Sequence, residues 1–195
     1  LHGWIIQPFK LSEGYVLQLN SKQVASVSTL TAIGAVARIV LAEFAMSSPQ
    51  PLYGVLVKVG LSETLAFIDG FVYGPAIGFL TGFLIIVISD MFVLPGPWTP
   101  YIAAIIGSVG IFAGITRRLI SEPTVKKLVA CAVVFTLASE LLQNTWVAVF
   151  FNVSIIVTII TGIPSLVTAL ANNVVLLPTV GLRVIKHLQD RDLQR

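Results

Sequence analysis

Seven ionisable residues interrupt long apolar runs in this chain: Arg38, Glu43, Lys58, Glu63, Asp69, Asp90 and Glu140. Charges inside hydrophobic segments are costly and face a partner charge, a cavity or water. One outcome is plain ion pairing, Arg38 with Asp90 or with Glu140, which says little about function. The other is a ligand site, and the neighbours of these charges favour it. Glu140 and Asn144 stand one helical turn apart, with Trp146 close by. Trp98 and Tyr101 follow the bend after Asp90, and Asn152, Thr158 and Thr161 follow in the last apolar run. Aromatic rings beside a few amides and carboxylates make up a typical small-molecule pocket. Trp98 and Trp146 equally suit an aromatic belt at a membrane surface.

Catalytic and metal chemistry find little to work with. His2 and His187 lie near the ends, and Cys131 is the only cysteine, so neither a disulfide nor a cysteine cage is expected. There is no Gly-x-x-x-x-Gly-Lys-Ser/Thr loop to cradle ATP phosphates and no His-Glu-x-x-His helix. No basic patch resembles a nucleic-acid footprint. The expectation is a binding protein without cofactor, metal or catalytic residues; any ATP hydrolysis falls to partner chains.

The elements that must position these residues are set by composition. Of 195 residues, 56% are hydrophobic and only 11% charged, against roughly 25% charged in a soluble domain. So small a chain cannot hide that much apolar surface in one water-soluble core. The sequence predicts an all-α integral membrane protein, a bundle of six spans at about 24–46, 52–73, 74–93, 98–119, 124–151 and 153–177. Each has about the 20 residues a crossing needs. Breaks fall at Pro49 to Pro51, Gly74-Pro75, Pro95-Gly96-Pro97, Glu122-Pro123 and around Phe151-Asn152. Lysines and arginines gather before the first span, in the turn bearing Arg117, Arg118, Lys126 and Lys127, and after Arg183. The positive-inside bias then puts both termini in the cytoplasm of a multi-pass protein of the cell membrane. No cleavable signal is evident, and the first span is expected to direct insertion. The organisation expected is a cytoplasmic segment 1–23, a transmembrane substrate-binding domain 24–178 and an amphipathic cytoplasmic tail 179–195.

Small residues recur at helical spacing. Gly74, Gly78 and Gly82 fall on one expected helix face and allow close helix approach. Ser28, Thr31, Ala32 and Ala35 form a second stripe, in the first span, suited to an external partner.

Thr31-Ala32-Ile33-Gly34-Ala35-Val36-Ala37-Arg38, Gly74-Pro75-x-x-Gly78-x-x-x-Gly82 running to Ser89-Asp90, and Gly96-Pro97-Trp98-Thr99-Pro100 together resemble the substrate-binding S component of energy-coupling factor (ECF) vitamin transporters. The resemblance extends over about 24–177. It implies a subunit that binds a vitamin or related micronutrient at its outward end. It also implies partners: a membrane-embedded coupling protein and two ATPase subunits, against which the loaded subunit topples. Asp90, Trp98, Tyr101, Glu140, Asn144, Trp146 and Asn152 become the substrate-binding candidates, and Ser28, Thr31, Ala32 and Ala35 the coupling-protein contact. The family's Ala-x-x-x-Ala pattern is absent here, with Ser28/Ala32 and Thr31/Ala35 the nearest substitutes. The proline-rich bend resembles a branch associated with cobalamin or its precursors; riboflavin, a pyrimidine vitamin or a modified base suits the residues equally. The residues alone leave two other readings open: a proton-coupled secondary transporter, or a ligand-free membrane scaffold or assembly protein.

Overall fold

Every regular element among the described residues, 19–46, 61–93, 95–120 and 122–193, is helical in this computed structural model. In chain order they are α1 Ser21–Met46, α2 Leu61–Tyr73, α3 Pro75–Val93, α4 Thr99–Leu119, α5 Val125–Phe150, α6 Ile155–Leu176, a π-helical turn Leu177–Gly181 and α7 Leu182–Leu193. Most of the expected segment 1–23, the break at Pro49 to Pro51 and Lys58 lie outside the described residues. Among the described residues, four stretches are long and apolar enough to cross a membrane: Ser21–Phe44, Pro75–Val93, Thr99–Leu119 and Ile155–Leu188. The surface they present suits lipid, with Phe44, Met91, Phe92 and Ile156 all well exposed. The described part of the expected second span is the 13-residue α2, about 20 Å at 1.5 Å per residue. The first part of that span lies outside the described residues. The 26-residue α5, about 39 Å long, carries Lys126 and Lys127 in its first turn and Glu140, Gln143 and Asn144 further along.

Glycine decides how α2, α3 and α4 meet. A Cβ placed on Gly78 would lie 2.4 Å from the Cα of Gly70 and 2.7 Å from that of Gly110. One on Gly110 would lie 2.1 Å from the Gly78 carbonyl carbon. Gly82 sits against the Ile106 carbonyl, and Gly114 against Pro75. Backbone touches backbone here, which the small-residue rule for membrane helices allows. Gly74 is not part of this face. It is the bend between α2 and α3, at φ +103°, with its N–H donating to the Gly70 carbonyl at 3.0 Å. A glycine free to take positive φ ends α2, and Pro75, which needs no amide partner, opens α3. The expected three-glycine stripe therefore reduces to Gly78 and Gly82, joined by Gly70 and Gly110.

The main core lies beside this junction. Phe67 stacks on Phe71 at 5.9 Å and meets Phe135 of α5 at 5.7 Å. Leu128, Leu177 and Ile185 close the same cluster. In the described part of α7, Ile185 is fully buried and Arg183, Lys186 and His187 are exposed. This helix runs on from α6 without a break, so the expected division at 178/179 falls within the π-helical turn. The α5–α6 turn is at Phe151 and Asn152, where Asn152 takes φ +53°, a conformation asparagine tolerates better than most residues.

Candidate functional site

At one end of the bundle, α1, α3 and the start of α4 are tied through a single carboxylate. The Arg38 guanidinium meets Asp90 Oδ1 at 2.7 Å and donates to Ser89 Oγ at 2.9 Å. The other oxygen, Asp90 Oδ2, accepts from Thr99 Oγ1 at 2.7 Å. Thr99 in turn closes the bend, its N–H bonding the Gly96 carbonyl at 3.0 Å and its hydroxyl accepting from the Gly96 N–H at 3.3 Å. Gly96 is required because the Trp98 ring lies over it: a Cβ there would stand 2.4 Å from Trp98 Cζ2. Pro100 in the first turn then starts α4. The Arg38–Asp90 pair that charge spacing allowed is thus formed, and Asp90 is nearly enclosed by it.

The same end carries a ring stack between α4 and α5. Tyr101 lies on Trp146 with centroids 5.5 Å apart and planes at 28°. Trp146 stacks on Phe150 at 4.8 Å and 15°, and meets Phe151 edge-on at 6.2 Å and 87°. The Tyr101 hydroxyl donates to the Leu142 carbonyl at 3.3 Å. Deeper along α5, buried Glu140 accepts from Ser165 of α6 at 3.3 Å. Asn144 donates to the Glu140 carbonyl at 2.9 Å, and its amide packs against Gly162 of α6.

Of the expected site residues, Tyr101 and Trp146 come together and Asp90 is linked to Thr99 beside Trp98, while Asn144 bonds the backbone carbonyl of Glu140 one turn back on the same helix. Asn152 is exposed in the α5–α6 turn. Thr158 and Thr161 donate to carbonyls of their own helix. On α1 the small stripe divides: Ser28 and Ala32 are exposed, while Thr31 and Ala35 face the bundle interior. At the opposite end, a hollow of about 470 Å³ opens among Asn20, Ser21, Lys22, Gln23, Val72 and Tyr73.

Two further polar knots form around Glu63 and Asp69, charges noted in the sequence whose partners were not foreseen. Glu63 accepts from Ser139 of α5 at 3.0 Å and from the amide of Asn173 of α6. That amide also bonds Thr136 Oγ1 at 2.9 Å, and all four residues are buried. Asp69, wholly buried, accepts from Ser26 of α1 and Thr81 of α3, each at 2.5 Å. The available signal was an amide pair, Asn172-Asn173, inside an apolar run. No group of three or more histidine, cysteine or acidic side chains suited to a metal forms among the described residues.

No family model, curated protein or solved structure matches this chain.

Proposed function

We propose that this chain is the high-affinity substrate-binding subunit of an ATP-driven importer of the energy-coupling factor type. It takes a vitamin or related micronutrient at the outward end and delivers it by toppling against a separate coupling protein and two ATPases. The observation that carries this reading is the Arg38–Asp90–Thr99 linkage. Three segments that bear the family resemblance, around Arg38, Ser89-Asp90 and the Gly96-to-Pro100 bend, meet there at one end. The Tyr101–Trp146 stack and the Glu140–Asn144 pair lie along the two helices beside it, the mixture of rings and polar groups that suits a small heteroaromatic ligand.

Completing the picture needs six spans, α5 among them, both termini in the cytoplasm and the subunit in the plasma membrane. The chain then hydrolyses no ATP itself. The outward-facing Ser28 and Ala32 of α1 offer a small surface for the coupling protein. Mass spectrometry of the small molecule that co-purifies with the chain in mild detergent tests the proposal directly. A retained vitamin-like compound, and uptake only with the ATPase module present, is the expected result.

A second reading, a proton-coupled carrier, is favoured by Asp69. A carboxylate held by two hydroxyls accommodates a proton without losing its partners, because each hydroxyl can donate or accept. Uptake by the chain alone, driven by a proton gradient and abolished by Asp69→Asn, would establish that reading and overturn the first.

A further inference from the structure

We infer that the basic end of the bundle is a binding surface for anionic phospholipid headgroups. Two segments far apart in sequence form it. The end of α4 and the first turn of α5 contribute Arg118, Lys126 and Lys127, and α7 contributes Arg183 and Lys186; all five side chains are exposed. One core cluster holds both segments in place, since Ile120 and Leu128 of the first and Leu182, Ile185 and Leu188 of α7 all belong to it. Acidic residues lie at the margins of these two segments: Glu122 between α4 and α5, and Asp190 and Asp192 in the last turn of α7.

Helix length puts the surface at headgroup depth. The α4 helix has 21 residues and carries Arg117 and Arg118 in its last turn, a rise of about 32 Å over its whole length against a hydrocarbon core of about 30 Å. From Ile155, about 20 residues of α6 cross that core. Arg183 and Lys186 therefore emerge beyond its edge on the same side.

Apolar residues beside the charges point to lipid rather than to a soluble partner. Leu119 is 81% exposed next to Arg118, and Val125 is 54% exposed next to Lys126. Such pairs sink the apolar chain into the acyl boundary while the long basic chain reaches the phosphates. The hydrogen-bonding capacity is available: Lys127 spends one donor on the Glu122 carbonyl at 3.2 Å and keeps two. Arg117 is left out of the surface because its guanidinium is engaged on the Val72 carbonyl at the end of α2.

This inference rests on the chain spanning a membrane, not on its being an importer subunit. Each basic residue near an anionic surface is worth roughly fivefold in partitioning. Native mass spectrometry of the purified full chain, offered equal phosphatidylglycerol and phosphatidylcholine, tests it. Preferential phosphatidylglycerol adducts are expected, falling roughly tenfold or more in the combined variant Lys126→Gln, Lys127→Gln, Arg183→Gln, Lys186→Gln. The variant Lys126→Arg, Lys127→Arg keeps the preference, and unchanged helical circular dichroism shows that both variants fold. Equal retention of the two lipids by the unaltered chain, or an undiminished preference in the combined Gln variant, overturns the assignment.

Discussion

The guanidinium of Arg38 and the carboxylate of Asp90 lie 2.7 Å apart across α1 and α3, and Thr99 holds the remaining carboxylate oxygen. Asp90 is 3% exposed, so removing one partner strands a charge in a poorly solvated place. Breaking such a pair from one side costs about 3–5 kcal/mol, whereas replacing both by apolar or neutral groups is often close to neutral. Arg38→Met and Asp90→Asn should each lower the melting temperature in detergent, and the double variant should recover most of the loss. Additive losses in the double variant would show that the two side chains act separately.

The glycine junction makes a sharper prediction about packing. Gly78→Ala and Gly110→Ala drive a methyl into backbone at 2.4 Å and 2.1 Å, so α2, α3 and α4 must separate. Overpacking of this kind costs about 1–3 kcal/mol. Gly162→Ala meets the Asn144 side chain at 2.7 Å, and that amide can swing aside. Thermal unfolding should rank Gly162→Ala as the mildest of the three. Equal losses for all three would mean that the helices adjust as easily at the junction as at the α5–α6 contact.

The ring stack separates a ligand pocket from a membrane belt. An aromatic pair contributes about 0.5–1.5 kcal/mol beyond its burial, and the Tyr101 hydroxyl adds one bond to Leu142. If the stack borders the ligand, Tyr101→Ala should weaken retention of the co-purifying compound about tenfold, equal to 1.4 kcal/mol. Tyr101→Phe should retain most of it. A belt role predicts the reverse pattern: binding untouched by Tyr101→Ala, with altered stability between detergents of different chain length.

Much of this arrangement is legible in the residues, and the illegible part has a physical cause. Proline and glycine punctuate backbone directly, so the bends at Gly74-Pro75 and Gly96-Pro97 fall where composition puts them, within a residue or two of the helix ends. That Arg38 would seek a carboxylate was also readable. The choice of Asp90 over Glu140 was not, because it depends on α1 packing against α2 and α3, a neighbourhood that periodicity does not report. Gly74 looked like a packing glycine by its spacing from Gly78 and Gly82, yet the following proline breaks the helix there. Asn173 escaped notice for a different reason. One amide in a hydrophobic run resembles noise until Glu63, 110 positions away, is brought against it.

Asp69 separates the two proposed readings, an ATP-driven importer subunit and a proton-coupled carrier. Its oxygens accept from Ser26 and Thr81, and Asp69→Asn keeps the shape while removing the titrating group. One amide hydrogen would then face a hydroxyl that can turn to accept it. For the importer subunit, Asp69→Asn should leave ligand retention within about threefold and uptake still dependent on the ATPase module, a change under 1 kcal/mol. Uptake that survives without the module, falls when the proton gradient is collapsed and vanishes in Asp69→Asn would reverse the assignment.

Orientation provides the last test and bears on every outward role above. The only cysteine, Cys131, is buried in the core, so Cys131→Ala gives a background for single reporters. Glu122 lies exposed in the α4–α5 connection among Arg117, Arg118, Lys126 and Lys127, and Asn152 lies exposed in the α5–α6 turn. One intervening helix, α5, places them on opposite sides if it crosses. The positive-inside bias assigns the basic connection to the cytoplasm. A membrane-impermeant maleimide on intact cells should therefore label Asn152→Cys at once and Glu122→Cys only after permeabilisation. Labelling of both from outside would mean that α5 does not span. Labelling of Glu122→Cys alone would invert the bundle and turn the Tyr101–Trp146 end toward the cytoplasm, where a substrate arriving from outside could not first be captured.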